Sequence, residues 1–344
     1  MGEYIMDKVR VAFIGCGNMS SQLQRCIPLV PEFEFVATCD LVEEKARSNA
    51  RRFGALRYYT DYDEMFKHED LHAVAVVGRP EDKLHRDIGI ACLQRGYHIY
   101  TEKPPATTSE GAKMLVDASV ATGKTGMVGT MWRHAPAHQI ARELMDDEAF
   151  GNACQYHTRY MAPGPRLQEM GSPFAWPFMI DQVIHPTDCM RFFMGQVSEV
   201  FALGSVDGAS GTVSISVNLR YENGGIGTMT LGTGPVLEAM IFVKGTNSQA
   251  IQVFETRKLR RYRVPTWLDS GGGYADTPTE EWDLNTAFHS VGRPGYLEEM
   301  QHWAQSLQAD IQPHSSLEDA YENMRVLEAI SHSVETGEVV QISA

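Results

Sequence analysis

A glycine turn between a predicted strand and a predicted helix is the feature that most constrains this chain of 344 residues. Val9–Ile14 is a continuous apolar run typical of a buried strand, Gly15-Cys-Gly17 interrupts it, and residues 18–27 have helical spacing. In such a turn the first glycine permits a tight bend, and the second lets a pyrophosphate approach the backbone. The helix that follows presents N–H groups and the positive end of its dipole to an anion. The pattern predicts a dinucleotide site that includes Gly15, Gly17, Asn18 and Met19.

An acidic residue at the end of the next predicted strand supports this interpretation. Asp40 follows Ser20 by 20 residues, which is where a carboxylate accepts hydrogen bonds from an adenosine ribose. The alternative is that Asp40 caps the following helix. Ser20 stands where a third small residue, usually glycine or alanine, is expected. A carboxylate would repel the 2′-phosphate of NADP, and the neighbouring Leu41 carries no positive charge, so the sequence favours NAD as the cofactor.

The order of predicted strands and helices changes near residue 150. Up to about residue 130, short apolar runs alternate with helical patterns, which predicts a parallel sheet with right-handed crossovers. Beyond 150, apolar runs separated by turn residues predict an antiparallel sheet, and two helices close the chain, the second opened by the capping box Ser315-x-x-Glu318. The predicted fold class is α/β, with an N-terminal Rossmann NAD-binding domain (1–130). A C-terminal α+β domain (131–344) carries a large, mostly antiparallel open sheet for substrate binding and oligomerisation.

Charge and cysteine usage restrict the partners. Thirty basic residues against 44 acidic ones give a formal net charge of −14, and the one basic run, residues 258–263, resembles one face of a strand. Such a chain repels nucleic acid and anionic membranes. There is no apolar run of about 18 residues and no signal-peptide pattern, and the six cysteines are scattered without a C-x-x-C pair. We therefore expect a cytoplasmic protein with reduced thiols, a small-molecule substrate, and no nucleic-acid or membrane partner.

A short motif at the end of a later strand carries the first candidate catalytic group. Glu102-Lys103-Pro104 ends the strand that follows the helix containing His85. In open α/β sheets, ligands lie outside the carboxyl ends of the strands. A lysine there can hold a substrate hydroxyl and stabilise a developing alkoxide. The alternative is a solvated loop cation paired with Glu102. Adjacent residues pair poorly, however, and Pro104-Pro105 makes this bend rigid.

The second candidate motif is Asp181-x-x-x-His185-x-x-Asp188. Residues four apart share one face of a helix, so Asp181 and His185 can act together. Pro186 has no N–H and is tolerated only near a helix start, which predicts that His185 lies near a helix N-terminus, where the dipole favours a neutral imidazole. A neutral imidazole is what a general base requires. The alternatives are a capping Asp with a core His, or a zinc site. No third ligand stands at a suitable spacing, and no metal is predicted.

The Gly15–Ser20 turn, Glu102-Lys103-Pro104 and Asp181…His185…Asp188 together resemble the Gfo/Idh/MocA oxidoreductase family, and the resemblance extends over the whole chain. It implies that Lys103, Asp181 and His185 are catalytic, with His185 as the acid/base and the other two holding the hydroxyl. The expected activity is that of an NAD-dependent dehydrogenase acting on CH–OH groups. It would transfer a hydride between a secondary hydroxyl of a sugar, glycoside or cyclitol and the nicotinamide.

Further site residues follow from position. We expect Pro80, His85, Glu102 and Lys103 to contact the cofactor, although a surface histidine on a helix is an equal alternative for His85. The substrate residues are predicted around Lys103, Asp181 and His185. Large aromatic residues are more often core, and alternation along a strand lets only some side chains of residues 156–160 point inward. The additional predicted substrate contacts are Arg133, Tyr160, Arg166 and Trp176.

Two other functions and an assembly state remain open. An NAD-dependent glycoside hydrolase or lyase that oxidises its sugar transiently would need an extra base, for which Tyr160 or His157 is available. A non-catalytic nucleotide-sensing regulator would have no need of Lys103, Asp181 and His185. Because an exposed apolar sheet face is a liability, we also expect a homodimer or homotetramer formed through the C-terminal sheet.

Overall fold

Two structural units divide the chain, and neither is a single continuous segment. The first comprises Met1–His134 with His289–Glu322, and the second comprises Ala135–Phe288 with Asn323–Ala344. The first break lies four residues beyond the predicted boundary at 130. Residues 289–322 belong to the first unit, although the prediction placed them in the C-terminal domain (131–344). The computed structural model describes residues 8–164, 174–207, 210–247, 249–263, 278–284 and 294–342.

The first unit contains a six-stranded, wholly parallel sheet with the strand order β3-β2-β1-β4-β5-β6. This is the Rossmann order, and it confirms the predicted fold of this part of the chain. The central strands are almost entirely buried, which is why they are continuous apolar runs. The strands are β1 (Val9–Ile14), β2 (Phe33–Cys39), β3 (Arg57–Tyr59), β4 (Ala73–Val76), β5 (His98–Glu102) and β6 (Gly126–Gly129).

Helices connect these strands, and one further helix is contributed by the returning segment. A π-helical turn, Asp82–Ile88, runs directly into the fourth helix. The helices of this unit are α1 (Asn18–Gln24), α2 (Glu43–Phe53), α3 (Tyr62–His68), α4 (Gly89–Gln94), α5 (Ser109–Thr122) and α9 (Tyr296–Ala309).

Helix α9 completes the core of the first unit. Met300, Trp303 and Leu307 share one helical face, as the sequence predicts, and all three are buried in the cluster that contains strands β1 and β2. The Trp303 ring lies 5.3 Å from the Phe33 ring and 5.5 Å from the Tyr100 ring, measured between centroids. The sequence pattern had assigned this helix to the C-terminal sheet. Its apolar face instead covers the Rossmann sheet.

Helix α10 (Leu317–Thr336) begins in the first unit and continues in the second. Its capping box lies one residue later than predicted. Asp319 N–H donates to the Ser316 hydroxyl at 3.1 Å, and Ser316 N–H donates to the Asp319 carboxylate at 3.3 Å. Ser315, the predicted capping residue, instead contacts His134, whose Nε2 lies 2.8 Å from the Ser315 hydroxyl.

The second unit contains a nine-stranded sheet with the order β14-β13-β12-β11-β7-β10-β9-β8-β15. Every pairing is antiparallel except that of β7 with β10, which confirms a mostly antiparallel sheet. The central strand β7 contains residues 156–160, for which the sequence analysis expects strand alternation. The strands are β7 (Ala153–Ala162), β8 (Val197–Asp207), β9 (Thr212–Tyr221), β10 (Ile226–Thr233), β11 (Glu238–Gly245), β12 (Ala250–Phe254), β13 (Lys258–Tyr262), β14 (Glu280–Asp283) and β15 (Val340–Gln341).

Burial alternates along β9 of this sheet. On β9 every second residue from Val213 to Tyr221 is buried, while Ser214, Ser216 and Asn218 are exposed. One face therefore packs inward and the other faces away. The helices of this unit, apart from the second part of α10, are α6 (Pro136–Met145), α7 (Trp176–Phe178) and α8 (Ile184–Met194).

The cysteines are free thiols, and five of the six are buried, as the sequence predicts. Burial raises the pKa values of Cys16, Cys26, Cys39 and Cys92 to about 12, so these thiols are unreactive. Over the part of the chain that is described, no helix has both the length and the apolar composition to cross a membrane.

The packing of α9 generates a stability prediction. Trp303 is 1% exposed, so Trp303→Ala should lower the free energy of unfolding by about 3–5 kcal/mol through lost burial and the cavity left behind. Urea unfolding followed by circular dichroism measures the change. Gln305→Ala, an exposed residue of the same helix, is the control and should change stability by less than about 0.5 kcal/mol. A tolerated Trp303→Ala would contradict the assignment of α9 to this core.

Candidate functional site

The glycine turn at the end of β1 is defined by two glycines with different requirements. Gly15 has a φ of +94°, and a Cβ atom there would lie 2.0 Å from the Val77 carbonyl oxygen. The backbone just beyond β4 therefore passes so close to the turn that no side chain fits. Gly17 has an ordinary φ of −76°, and a Cβ atom there would meet nothing within 4 Å. Open space beside an exposed glycine backbone is what the approach of a pyrophosphate requires.

The hydrogen bonds of Ser20 show why a serine stands where glycine or alanine is usual. Its hydroxyl donates to the Gly15 carbonyl at 2.6 Å and accepts from the Gln24 side chain at 2.8 Å. The serine thus ties the first turn of α1 to the glycine turn. Asn18 is exposed at the turn, whereas Met19 is half-buried, with its sulfur 3.8 Å from the Tyr296 hydroxyl of α9. Any contact of Met19 with a cofactor stays a prediction.

Asp40 braces the same turn from the end of β2. One carboxylate oxygen accepts from the Cys16 N–H at 2.8 Å, and the other accepts from the Val42 N–H at 2.9 Å. The residue therefore holds the chain that leads into α2 and also fixes the glycine turn. The capping alternative was wrong, because the N-cap of α2 is Val42 and no side chain caps that helix. Each carboxylate oxygen has capacity for a second hydrogen bond, so ribose binding by Asp40 remains compatible with these contacts.

A cleft of about 850 Å³ opens outside the carboxyl ends of β1, β2 and β4. It lies where a doubly wound sheet binds its ligand. The tight turn at Gly15, the open approach at Gly17 and the carboxylate at the end of β2 fit an NAD molecule. The cleft is lined by Gly15, Gly17, Asp40, Gly78, Arg79 and Pro80, among others.

His85 is not a surface residue, and its ring is not among the groups that line this cleft. It is 3% exposed, its Nδ1 lies 2.8 Å from the Pro104 carbonyl oxygen, and its Nε2 accepts from the Gly78 N–H at 3.2 Å. Burial lowers the pKa of the imidazole. The surface alternative was therefore wrong. Both ring nitrogens contact loop backbone, and a direct contact of His85 with the cofactor stays a prediction.

Glu102 and Lys103 stand at the end of β5 in contrasting environments. Lys103 is half-buried, while Glu102 is buried and accepts from the Lys103 backbone N–H at 3.2 Å. The Tyr100 hydroxyl lies 3.2 Å from Glu102 and 3.0 Å from Glu299 of α9. Burial raises the pKa of Tyr100, so the phenol keeps its proton.

These contacts bear on two expectations about the β5 end. The Glu102 side chain is engaged by Tyr100 and by the backbone, so its predicted cofactor contact has no support from its surroundings. Glu299 also belongs to this group, and sequence reasoning missed it because it lies 199 residues from Tyr100. The peptide bonds Lys103–Pro104 and Arg79–Pro80 are both cis.

Arg133 is also fixed inside the first unit. It is buried, and its guanidinium forms an ion pair with the Asp319 carboxylate at 3.3 Å. Its contact with substrate stays a prediction, and in the described structure its guanidinium is paired with Asp319.

In the second unit, the motif around His185 lies within a continuous helical run. Trp176–Phe178 is followed by a π-helical turn, Met179–Val183, and then directly by α8. The wider turn accommodates Pro186, which cannot donate to the carbonyl four residues before it and would otherwise clash with it. His185 is the second residue of α8, so it lies near a helix N-terminus as the sequence predicts. The π-helical turn that precedes α8 means that this start is not a free helix end.

Asp181 and His185 occupy the same partly exposed side of this helical run, whereas residues 186–191 are buried. The Tyr160 hydroxyl donates to the Gln182 carbonyl oxygen at 2.9 Å, and the Gln182 amide donates to the Asp181 carboxylate at 2.8 Å. Tyr160 of β7 thus orients Asp181 through Gln182, a residue that the sequence analysis did not select. The capping alternative for Asp181 and the core alternative for His185 lose support, because both side chains lie on the partly exposed side.

The predicted residues on β7 lie on two different faces of the sheet. Tyr160 is buried on the face of β7 that bears Tyr156, whereas His157 and Arg159 point the opposite way, to the Thr228 hydroxyl and Glu238 respectively. His157 therefore does not share a sheet face with the Tyr160 hydroxyl. Trp176 is half-buried at the start of the helical run. Arg166 lies outside the described residues.

The strand order, the glycine turn and the cleft define a dinucleotide-binding α/β protein with a second α+β unit. Residues 9–130 match the Gfo/Idh/MocA family described as an oxidoreductase family with an NAD-binding Rossmann fold, and residues 142–342 match its C-terminal alpha/beta domain. The chain belongs to this family. The resemblance, the oxidoreductase class and NAD as cofactor are thereby confirmed.

Known proteins of this kind share the fold at low identity. The chain is 26% identical over 266 residues to levoglucosan dehydrogenase of Pseudarthrobacter phenanthrenivorans, covering 65% of this chain and 67% of that protein. It is 25% identical to scyllo-inositol 2-dehydrogenase (NAD(+)) of Bacillus subtilis, covering 97% and 96%. A dehydrogenase from Chromobacterium violaceum superposes with a TM-score of 0.86 at 20% identity, covering 96% of this chain and 97% of that one. A levoglucosan dehydrogenase solved with NADH and L-sorbose gives 0.79 at 22% identity, covering 98% and 100%.

The two glycines of the turn give a paired prediction. Gly15→Ala should destabilise the fold, because its Cβ would overlap the Val77 carbonyl and its φ is positive. Gly17→Ala should leave the unfolding free energy nearly unchanged but weaken NADH binding by at least about tenfold, because the methyl group occupies the pyrophosphate approach. Thermal unfolding and NADH fluorescence titration separate the two effects.

Gly54→Ala is the control for this pair. It has a φ of +83° with no neighbouring atom in the way, so it shows the cost of the backbone conformation alone and should not change NADH affinity. Normal NADH affinity in Gly17→Ala would remove Gly17 from the pyrophosphate site.

Proposed function

We propose that this protein is an NAD-dependent dehydrogenase that oxidises a secondary hydroxyl of a sugar, glycoside or cyclitol. The observation that carries the proposal is the pair Asp181 and His185 on the one partly exposed side of an otherwise buried helix, with Asp181 held through Gln182. Proton-transfer groups kept accessible in this way suit hydroxyl chemistry. They also speak against a regulator that only senses nucleotide. The names of two relatives, a levoglucosan and a scyllo-inositol dehydrogenase, point to polyhydroxylated rings as the substrate class.

The proposed roles follow from the chemistry of each group. NAD, when bound, accepts the hydride from the carbinol carbon. His185 takes the hydroxyl proton, and the C–O bond becomes a carbonyl as the C–H electron pair leaves. The Lys103 ammonium donates a hydrogen bond to the oxygen and stabilises the negative charge that develops there. The Asp181 carboxylate accepts from a substrate hydroxyl and orients it.

A substrate panel tests the proposal. Myo-inositol, scyllo-inositol, levoglucosan, glucose and a nitrophenyl glucoside are each incubated with NAD, and both reduced nicotinamide and released nitrophenol are followed. Reduced cofactor in proportion to substrate supports the dehydrogenase. Nitrophenol without net reduction would favour the glycosidase alternative. NADH binding without any turnover across the panel would favour the regulator.

Substitution of the catalytic residues gives the kinetic prediction. His185→Ala should lower kcat by about 10²- to 10⁴-fold, the usual contribution of a general base, with little change in NADH affinity. Lys103→Ala should lower kcat comparably by leaving the alkoxide unstabilised. In the wild type, kcat/KM should rise with pH and level off once the base is neutral. Steady-state kinetics on the best panel substrate measure all three.

His157→Ala is the matched control, because it removes a histidine of the same unit from the opposite face of β7. Its kcat should stay within about twofold of wild type. Near-normal turnover by His185→Ala, with an unchanged pH profile, would refute the assigned base.

We further propose a homodimer or homotetramer formed through the outward face of the second-unit sheet. Met161, Met240, Phe242 and Phe254 are partly exposed there, and strand register sets Met240 opposite Phe254. Phe242→Asp should therefore dissociate the assembly, because it buries a charge in the interface. Light scattering at micromolar concentration measures the mass. The control is Lys244→Asp, at the exposed end of the same strand. A monomeric wild type would refute the proposal.

A further inference from the structure

His85 joins two loops that serve different parts of the chemistry. On one side is the loop that begins at Gly78, which lines the NAD cleft together with Arg79 and Pro80. On the other side is the bend after β5, where Pro104 directly follows Lys103. The imidazole lies between a backbone N–H of the first loop and a backbone carbonyl of the second, at 3.2 Å and 2.8 Å.

We propose that His85 is a positioning residue that fixes the cofactor loop and the Lys103 bend relative to each other through its two ring nitrogens. We call the hydrogen bond from His85 to Pro104 the Pro104 arm and the hydrogen bond from Gly78 to His85 the Gly78 arm. The Pro104 arm rests on the proposed function, because it assumes that Lys103 has a role in turnover. The Gly78 arm rests only on the cleft and on membership of the NAD-binding family.

The chemistry of the two partners determines the state of the ring. A carbonyl oxygen can only accept, so the nitrogen facing Pro104, Nδ1, must carry a proton. A backbone N–H can only donate, so the nitrogen facing Gly78, Nε2, must be unprotonated. The ring is therefore the neutral Nδ1–H tautomer, and the lowering of its pKa by burial agrees with this.

Both partners are backbone atoms, and this makes the ring hard to replace. No side chain of either loop can substitute for the link, and the π-helical turn Asp82–Ile88 carries the ring as a rigid spacer. A Cβ atom at Gly78 would lie 2.6 Å from the Leu84 Cδ2 methyl, so a side chain there would require Leu84 to move. Loss of either hydrogen bond would leave a buried backbone group unpaired, at a cost that corresponds to roughly a tenfold change in an equilibrium or rate.

Two isosteric variants separate the two arms. The amide nitrogen of His85→Asn lies near the Nδ1 position and can still donate to Pro104, but the bond to Gly78 is lost. The amide oxygen of His85→Gln lies near the Nε2 position and can still accept from Gly78, but the bond to Pro104 is lost. We expect His85→Asn to weaken NADH binding by about tenfold, with kcat at saturating NAD within about threefold of wild type. We expect the opposite split for His85→Gln.

The measurements are NADH titration by fluorescence, and kcat on whichever panel substrate is oxidised fastest. His134→Asn and His134→Gln are the controls, because His134 is equally buried in the same unit but is bonded to Ser315. They should lower the unfolding temperature without separating NADH affinity from kcat. Nitrogen-15 NMR of the wild-type imidazole should show the neutral Nδ1–H tautomer.

The Lys103 background distinguishes this inference from the proposed function. If His85 acts through Lys103, His85→Gln should cause no further loss of kcat in Lys103→Ala. Should Lys103→Ala alone keep normal kcat, the catalytic role of Lys103 and the Pro104 arm both fail, while the NADH result still judges the Gly78 arm. Equal losses of NADH affinity and kcat in both His85 variants, tracking lost stability, would overturn the inference. So would a proton on Nε2.

Discussion

The close approach of the Gly15 turn to the backbone after β4 is the constraint on which the cofactor half of the molecule depends. A Cβ atom at Gly15 would lie 2.0 Å from the Val77 carbonyl, so the two backbones are in contact with nothing between them. This contact aligns the ends of β1 and β4, and the Asp40 carboxylate adds the end of β2 by bonding the Cys16 N–H. The open surface at Gly17 and the loop at Gly78 follow from it, because each lies within a few residues of the contact.

A second set of contacts secures this sheet through residues distant in sequence. Helix α9 places Trp303 against Phe33 and Tyr100, and sets Glu299 beside the Tyr100 hydroxyl. The same hydroxyl lies within hydrogen-bond distance of Glu102, so it links α9 to the carboxyl end of β5. Lys103, the cationic residue of the proposed site, directly follows this strand end.

The sequence could predict whatever depends on local pattern. Apolar runs predicted the Rossmann strands, alternation predicted β9, and the glycine turn predicted the cleft. It could not place residues 289–322, because the buried face of α9 specifies an apolar partner without saying which sheet supplies it. Alternation also predicted that only some side chains of residues 156–160 in β7 point inward, and Tyr156, Thr158 and Tyr160 are the buried ones. The sequence could not predict the partners of His85, because the pairing of both ring nitrogens with backbone depends on a loop 19 residues further along. Gln182 was overlooked for a similar reason, since its significance comes from Tyr160.

The motif that spans Asp181 to Asp188 shows how one short pattern combines two purposes. Asp188 is 1% exposed and accepts from the Asn323 amide at 2.7 Å, and Asn323 in turn accepts from Arg191 at 2.8 Å. A buried carboxylate with such a partner stabilises the helix in place, and its removal would take the acceptor from the buried Asn323 amide, which in turn holds Arg191. Asp181 lies on the partly exposed side of the same run, where the neutral Gln182 amide donates to it. An amide orients a carboxylate without neutralising its charge, and a carboxylate can accept several hydrogen bonds, so this contact leaves Asp181 able to accept from a hydroxyl. The spacing of the motif reflects helical geometry, and only the surroundings of each carboxylate separate the structural residue from the functional candidate.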